Sequence, residues 1–260
     1  MGGYILCQVR KAQMPYYIES ISTNIYTIEE LCYYLYHNIY LLDDTIINEQ
    51  LCYWIRKELG LEKLYHKLYR TLENNESIGN FILSVFKEIN YLNHSEFKEM
   101  NQQLEALEAQ PPAIRQKKKG DYLVENHMYV NAIKVYEDAV TLVEDTNLGE
   151  QFVGEIHHNM GCAYLNLFQL EEAVLCFARA YEELHTKASL KHYMIACYLC
   201  SSPGEWEQEC ARMGVDTQTK KELVREIEEA ANSIGQAAAS KDTDGILKSL
   251  TRDYHRSTGF

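Results

Sequence analysis

Chemistry in this 260-residue chain would have to come from its eight cysteines, nine histidines and surplus of carboxylates. Cys7, Cys32, Cys52, Cys162, Cys176 and Cys210 are scattered without ligand spacing, and Cys197 and Cys200 form a single CxxC inside the helical string HYMIACYLC. A structural zinc site takes four ligands, and no second CxxC or HxxxH completes one. A redox pair would want a preceding strand and an exposed helix start, which this string does not supply. His157 and His158 are neighbours on a helix and so point in different directions. Glu29-Glu30 and Asp43-Asp44 stand near helix starts, where carboxylates complement the helix dipole. With no GxSxG, GxGxxG, P-loop or HExxH string present, the sequence predicts no enzyme, no catalytic residues, no metal and no cofactor.

Composition narrows the partner. A formal net charge of −13 opposes binding to nucleic acid or to anionic membrane, since neutralising phosphates takes clustered Lys and Arg. The one basic run, Lys117-Lys118-Lys119, reads as a solvated helix face. No stretch of roughly 18 apolar residues is present, so no membrane insertion is expected. The start MGGYILCQVRKAQMP has neither a basic leader nor a long apolar run, which predicts a cytoplasmic protein with reduced cysteines. A hydrophobic content of 46% with 13 Gly and 4 Pro predicts a packed, all-α chain.

Helical periodicity begins at Thr27, which has capping-box spacing to Glu30 ahead of Ile28, Leu31, Cys32 and Leu35. Before it, YILCQV and YYIES are the only β-like stretches. Three further stripes follow: Ile47, Leu51, Trp54 and Ile55, stopped by Gly60; Leu61 to Leu72, stopped by Asn74-Asn75; and Ile78 to Ile89. Ser95 is the expected cap of a helix carrying Phe97, Met100, Leu104 and Leu107. Pro111-Pro112 then interrupts the chain. The predicted organisation is a helical domain over 1–110, a repeat region over 111–215, and a capping helix with tail over 216–260. The tyrosines from Tyr16 to Tyr40 give the first part a surface suited to a partner or to homodimerisation.

After the prolines the chain repeats itself. GDYLVENHMYVNAIKVYEDAV from Gly120 matches GCAYLNLFQLEEAVLCFARAY from Gly161, pairing Gly120 with Gly161, Leu123 with Tyr164, Tyr129 with Leu170, Ala132 with Ala173, Tyr136 with Phe177 and Ala139 with Ala180, all 41 residues apart. Small residues let two antiparallel helices approach, and the aromatic is expected to fill the gap toward the following repeat. Such helix pairs cannot bury their apolar faces alone and so must stack. The pattern resembles the tetratricopeptide repeat, although the spacing exceeds the family's usual period of about 34 residues and Gln116 and His157 stand where Trp is common. SLKHYMIACYL looks like the first helix of a third, degenerate repeat, with EWEQECARMGV as a second helix that has lost the small-residue pattern. Leu223, Val224, Ile227, Ala230, Ile234 and Ala238 form the stripe of a capping helix, and Ile246, Leu247, Leu250 and Tyr254 that of a last one. The implied fold is a helical N-terminal domain packed on a short tetratricopeptide-like solenoid.

The resemblance implies a groove lined by the first helix of each repeat: Lys117, Lys118, Asp121 and Glu125; then His158, Asn159, Cys162 and Asn166; then Ser189, His192, Tyr193 and Ala196. Some family members grip a C-terminal carboxylate there. Lys117 and Asn159 match that set, whereas Asp121, Ser189 and Tyr193 stand where Asn, Lys and Arg are expected. The mixed polar surface predicts hydrogen-bonded recognition of a protein or peptide, unless the chain's own N-terminal helices fill the groove. The expected function is a bacterial-type scaffold or adaptor. The alternatives are an assembly or secretion chaperone, and a peptide-responsive regulator whose DNA-reading helix would be INEQLCYWIRKELG, with only Arg56 and Lys57 to offer.

Overall fold

A computed structural model describes residues 11–143, 148–237 and 243–258; the YILCQV stretch lies outside them. The described residues form thirteen α-helices and one two-stranded antiparallel ribbon, so the fold is all-α. No helix among them is long and apolar enough to cross a membrane. The chain divides into two compact units at Arg115 and Gln116.

In the first unit, β1 (Tyr16–Ile18) pairs with β2 (Thr23–Ile25), with Tyr16 opposite Ile25. α1 (Ile28–His37) opens with the capping box expected at Thr27: its hydroxyl accepts from the Glu30 amide at 3.1 Å, and the Glu30 carboxylate accepts from the Thr27 amide at 3.1 Å. α2 (Glu49–Lys57), α3 (Glu62–Glu73), α4 (Ile78–Ile89) and α5 (His94–Glu108) then pack in sequence, and α1 returns onto α4. Gly60 ends α2 with φ +72°, a conformation that a Cβ disfavours, and Asn74 caps α3. The cap of α5 is Asn93 rather than Ser95. The carboxamide of Asn93 accepts from the Glu96 amide at 3.0 Å, and Ser95 donates to that same oxygen. Trp54 fixes the entering chain by donating its indole N–H to the Met14 carbonyl at 2.8 Å.

The second unit is a run of helical hairpins. α6 (Pro112–Glu125) pairs with α7 (Tyr129–Val143), α8 (Glu150–Asn166) with α9 (Leu170–Leu184), and α10 (Lys187–Cys200) with α11 (Pro203–Arg212). The first two hairpins superpose in register. Their turns place His127 and Phe168 at φ +61° and +58°, and each turn closes with the same two main-chain bonds. These run from Met128 to Leu123 and His127 to Val124 in the first, and from Gln169 to Tyr164 and Phe168 to Leu165 in the second.

The aromatic of each hairpin covers the glycine of its own and also reaches toward the next, as expected: the Phe177 ring lies 6.0 Å from that of His192 and shares a core with Met194 and Trp206. A Cβ on Gly120 would lie 2.4 Å from the Tyr136 ring, and one on Gly161 would lie 2.9 Å from the Phe177 ring. α8 carries a second such notch, Gly154, where a Cβ would meet Leu184 at 2.7 Å. On α8, Gly154 and Gly161 let α9 approach closely along its length.

The third hairpin keeps the geometry and exchanges the volumes. Counting from the glycine, positions +12 and +16 hold Ala132 and Tyr136, then Ala173 and Phe177. Met194, Trp206 and Cys210 occupy the equivalent places and are all buried in one core with Phe177 and Leu223. A large residue in the glycine's place is accommodated in part because the aromatic's place has shrunk to a thiol. Trp206 also donates its indole N–H to the Met194 carbonyl at 3.0 Å. α12 (Thr217–Ala237) closes this core through Leu223, with Val224 packed beside it; Ala230 of the expected stripe is exposed, and Ala238 lies outside the described residues. α13 (Thr243–Thr258) contacts α7 yet leaves Ile246, Leu247, Leu250 and Tyr254 exposed.

Candidate functional site

The three first helices, α6, α8 and α10, are joined by a continuous polar chain. Tyr136 donates to Asp121 Oδ1 at 2.6 Å, and Asn159 donates its amide to the same oxygen at 2.8 Å. That second bond fixes the Asn159 carboxamide with its oxygen turned toward His158, whose Nδ1 lies 3.3 Å away. His158 Nε2 in turn lies 2.8 Å from His192 Nδ1. A carboxylate only accepts, so the direction propagates along the chain. With both imidazoles neutral, Nδ1 of His158 carries its proton, Nε2 accepts, and Nδ1 of His192 donates. The end of the relay is His192 Nε2, a lone pair with no hydrogen-bond partner among the described residues.

Helical periodicity places these residues. Lys117 and Asp121 are one turn apart on α6, and their side chains meet at 3.1 Å; Glu155 and His158 are one turn apart on α8. Glu155 approaches the same Lys117 ammonium at 3.7 Å, so that cation sits between two carboxylates. Lys117, Glu155, His158, Asn159, Ser189 and His192 line a cleft of about 380 Å³. The hydroxyl of Ser189 belongs to the capping box that starts α10 and is bonded to Thr186.

Burial and the neighbouring His158 and Lys191 hold the His192 imidazole below its ordinary value of 6.5. The unfolded chain therefore takes up a proton at His192 before the folded one does. Stability from this residue is present above about pH 6.5 and declines as pH falls through the window down to the lowered folded value, then levels off. Chemical denaturation of wild type and His192→Gln at stepped pH tests this. The expected result is a shallower acid-side decline in the variant.

Of the residues expected to line the groove, Lys117, Asp121, His158, Asn159 and His192 converge. Lys118 is half-buried and outside the chain of bonds; Glu125 is exposed at the end of α6. Asn166 is also exposed and lines a different cleft of about 430 Å³, with Phe168, Tyr129, Leu250 and Tyr254. Tyr193 is the correction. It is buried and donates to Glu209 Oε1 of α11 at 2.7 Å. The burial pattern of α8 recurs in α10 at an offset of 33 (160 to 193, 161 to 194, 163 to 196), which places Tyr193 opposite the buried Met160 and His192 opposite Asn159. Neighbouring residues on a helix are rotated by about 100°, so Tyr193 turns inward where His192 faces the cleft.

The described cysteines offer no activated thiol. Burial pushes Cys32 and Cys52 up to about 12, with nearby carboxylates adding to the effect, and Cys176 and Cys197 up to about 11. Cys197 of the CxxC lies in the core of the third hairpin, and Cys200 is half-buried. No cluster of three or more potential metal ligands occurs among the described residues.

The tyrosine-rich segment divides by role. Tyr34 and Tyr65 are buried, Tyr16 packs on Trp54, and Tyr17, Tyr33, Tyr40 and Tyr53 are exposed. Arg56 of the helix considered for DNA reading is bonded to Glu62 at 3.0 Å and lies over the Tyr65 ring. Comparison of the chain with protein-family models, with curated proteins and with solved structures finds no match in any of the three.

Proposed function

We propose that the chain is a non-catalytic binding protein of tetratricopeptide-repeat type, which holds a peptide segment of a partner in the cleft lined by α6, α8 and α10. The observation that carries the reading is the relay from Tyr136 to His192. It spans all three first helices and ends on an unused acceptor in a concave site. A polar network of this kind gives recognition when its members are positioned by each other before the ligand arrives. The repeat register of the first two hairpins supports the family assignment, and scaffold or adaptor is the role that such a cleft serves.

Panning a random-peptide display library against the full-length protein tests this. The expected outcome is an enriched sequence family whose binding weakens roughly tenfold or more in Asn159→Ala/His192→Ala, at unchanged helical content. Enriched peptides bound equally well by the folded double variant, or no enrichment at all, would overturn the reading.

A further inference from the structure

We propose that this cleft receives a cationic side chain, a lysine or arginine of an extended peptide, held between the Glu155 carboxylate and the Nε2 lone pair of His192; the proposal rests on the peptide-binding reading above.

Three observations select a cation over an anion. The direction of the hydrogen-bond relay, set by the acceptor-only carboxylate of Asp121, leaves His192 presenting a lone pair, which attracts N–H donors and repels carboxylates. The Lys117 ammonium, the cation an acidic ligand would seek, already lies 3.1 Å from Asp121 and 3.7 Å from Glu155. The amides at the start of α10, the other natural anion site, are engaged by its capping box, Ser189 N bonding Thr186 Oγ1 and Thr186 N bonding Ser189 Oγ.

On the accepting side, Glu155 keeps 47% of its side chain exposed while lining the cleft, and it would exchange only two long contacts for a ligand, Lys117 at 3.7 Å and Gln151 Nε2 at 3.5 Å. The surrounding field agrees in sign: the net charge of −13 draws cationic segments in. The charges around His192 are Lys117, Asp121 and Glu155 from α6 and α8, Lys187 and Lys191 on its own helix, and Glu226 of α12, which pairs with Lys191 at 2.5 Å. They come near to cancelling. The orientation of acceptors, more than local charge, therefore sets the preference. Protonation of His192 would occupy Nε2 and add a like charge, so binding of a cation should weaken as pH falls.

The experiment follows the imidazole nitrogens of the full-length protein by NMR during addition of two end-capped peptides, Gly-Ser-Arg-Ser-Gly and Gly-Ser-Glu-Ser-Gly. The expected result is a saturable shift of His192 Nε2 with the arginine peptide at about pH 7.5, weaker at about pH 5.5, and none with the glutamate peptide. Affinity for the arginine peptide should drop roughly tenfold in Glu155→Gln, whose exposed position leaves folding intact. Equal affinity in Glu155→Gln, no shift with arginine, or preference for the glutamate peptide would overturn the proposal. If the display library still yields neutral or acidic motifs that depend on Asn159 and His192, the peptide-binding reading stands and only the cationic preference falls. If neither experiment finds a ligand, both fall.

Discussion

Gly120→Ala should destabilise the second unit by about 2–3 kcal/mol, the range for forcing a methyl group into a filled interior. In an open helix the same change stabilises by up to about 1 kcal/mol, because alanine loses less backbone freedom on folding. Packing decides the sign here. The added Cβ would lie 2.4, 2.6 and 2.8 Å from three atoms of the Tyr136 ring. The ring cannot step aside cheaply, because its hydroxyl donates to Asp121 at 2.6 Å and the side chain is wholly buried. Gly204→Ala is the control, since a Cβ there meets nothing within 4 Å. Urea denaturation should separate the two substitutions in opposite directions. An unchanged midpoint for Gly120→Ala would mean that the α6–α7 contact is looser than its geometry.

Trp206→Ala should cost about 3–5 kcal/mol, as expected when a buried aromatic is removed and its cavity does not collapse. Part of the loss is the bond to the Met194 carbonyl, whose donor disappears. The more discriminating variant replaces all three members of the exchanged set. Met194→Gly/Trp206→Ala/Cys210→Phe writes the volumes of the first two hairpins into the third. Cys210→Phe returns only part of the volume that the other two changes remove, so thermal denaturation should show the triple variant more stable than Met194→Gly/Trp206→Ala but below wild type. If the three changes simply added their separate costs, the third hairpin would not share the packing scheme of the others.

The helices, their order and the equivalence of the first two hairpins were legible because apolar spacing, Thr27, Gly60 and the 41-residue repeat are local signals. Less legible was anything depending on two helices at once. The second helix of the third hairpin looked degenerate because Trp206 stands in the alanine's place and Cys210 in the aromatic's. Tyr193 was misplaced because its inward turn depends on a second helix, where Glu209 of α11 accepts from its hydroxyl. Lys117, Asp121, His158, Asn159 and His192 were nameable as groove residues, but the relay among them was not. Its direction depends on an amide orientation imposed from a neighbouring helix, and no spacing along the chain encodes that. Ser95 was the expected cap, but it is the Asn93 carboxamide that meets the Glu96 amide.

The buried thiols also make this chain its own gauge of opening. A thiol whose pKa has risen to about 12 is ionised in only about one molecule in 10⁵ at neutral pH, so alkylating reagents reach it at an appreciable rate only when its surroundings part. Cys32 and Cys52 report on the first unit, and Cys176 and Cys197 on the hairpins of the second. The rate at which each sulfur is capped under native conditions thus measures how often its own neighbourhood loosens, without any label being introduced.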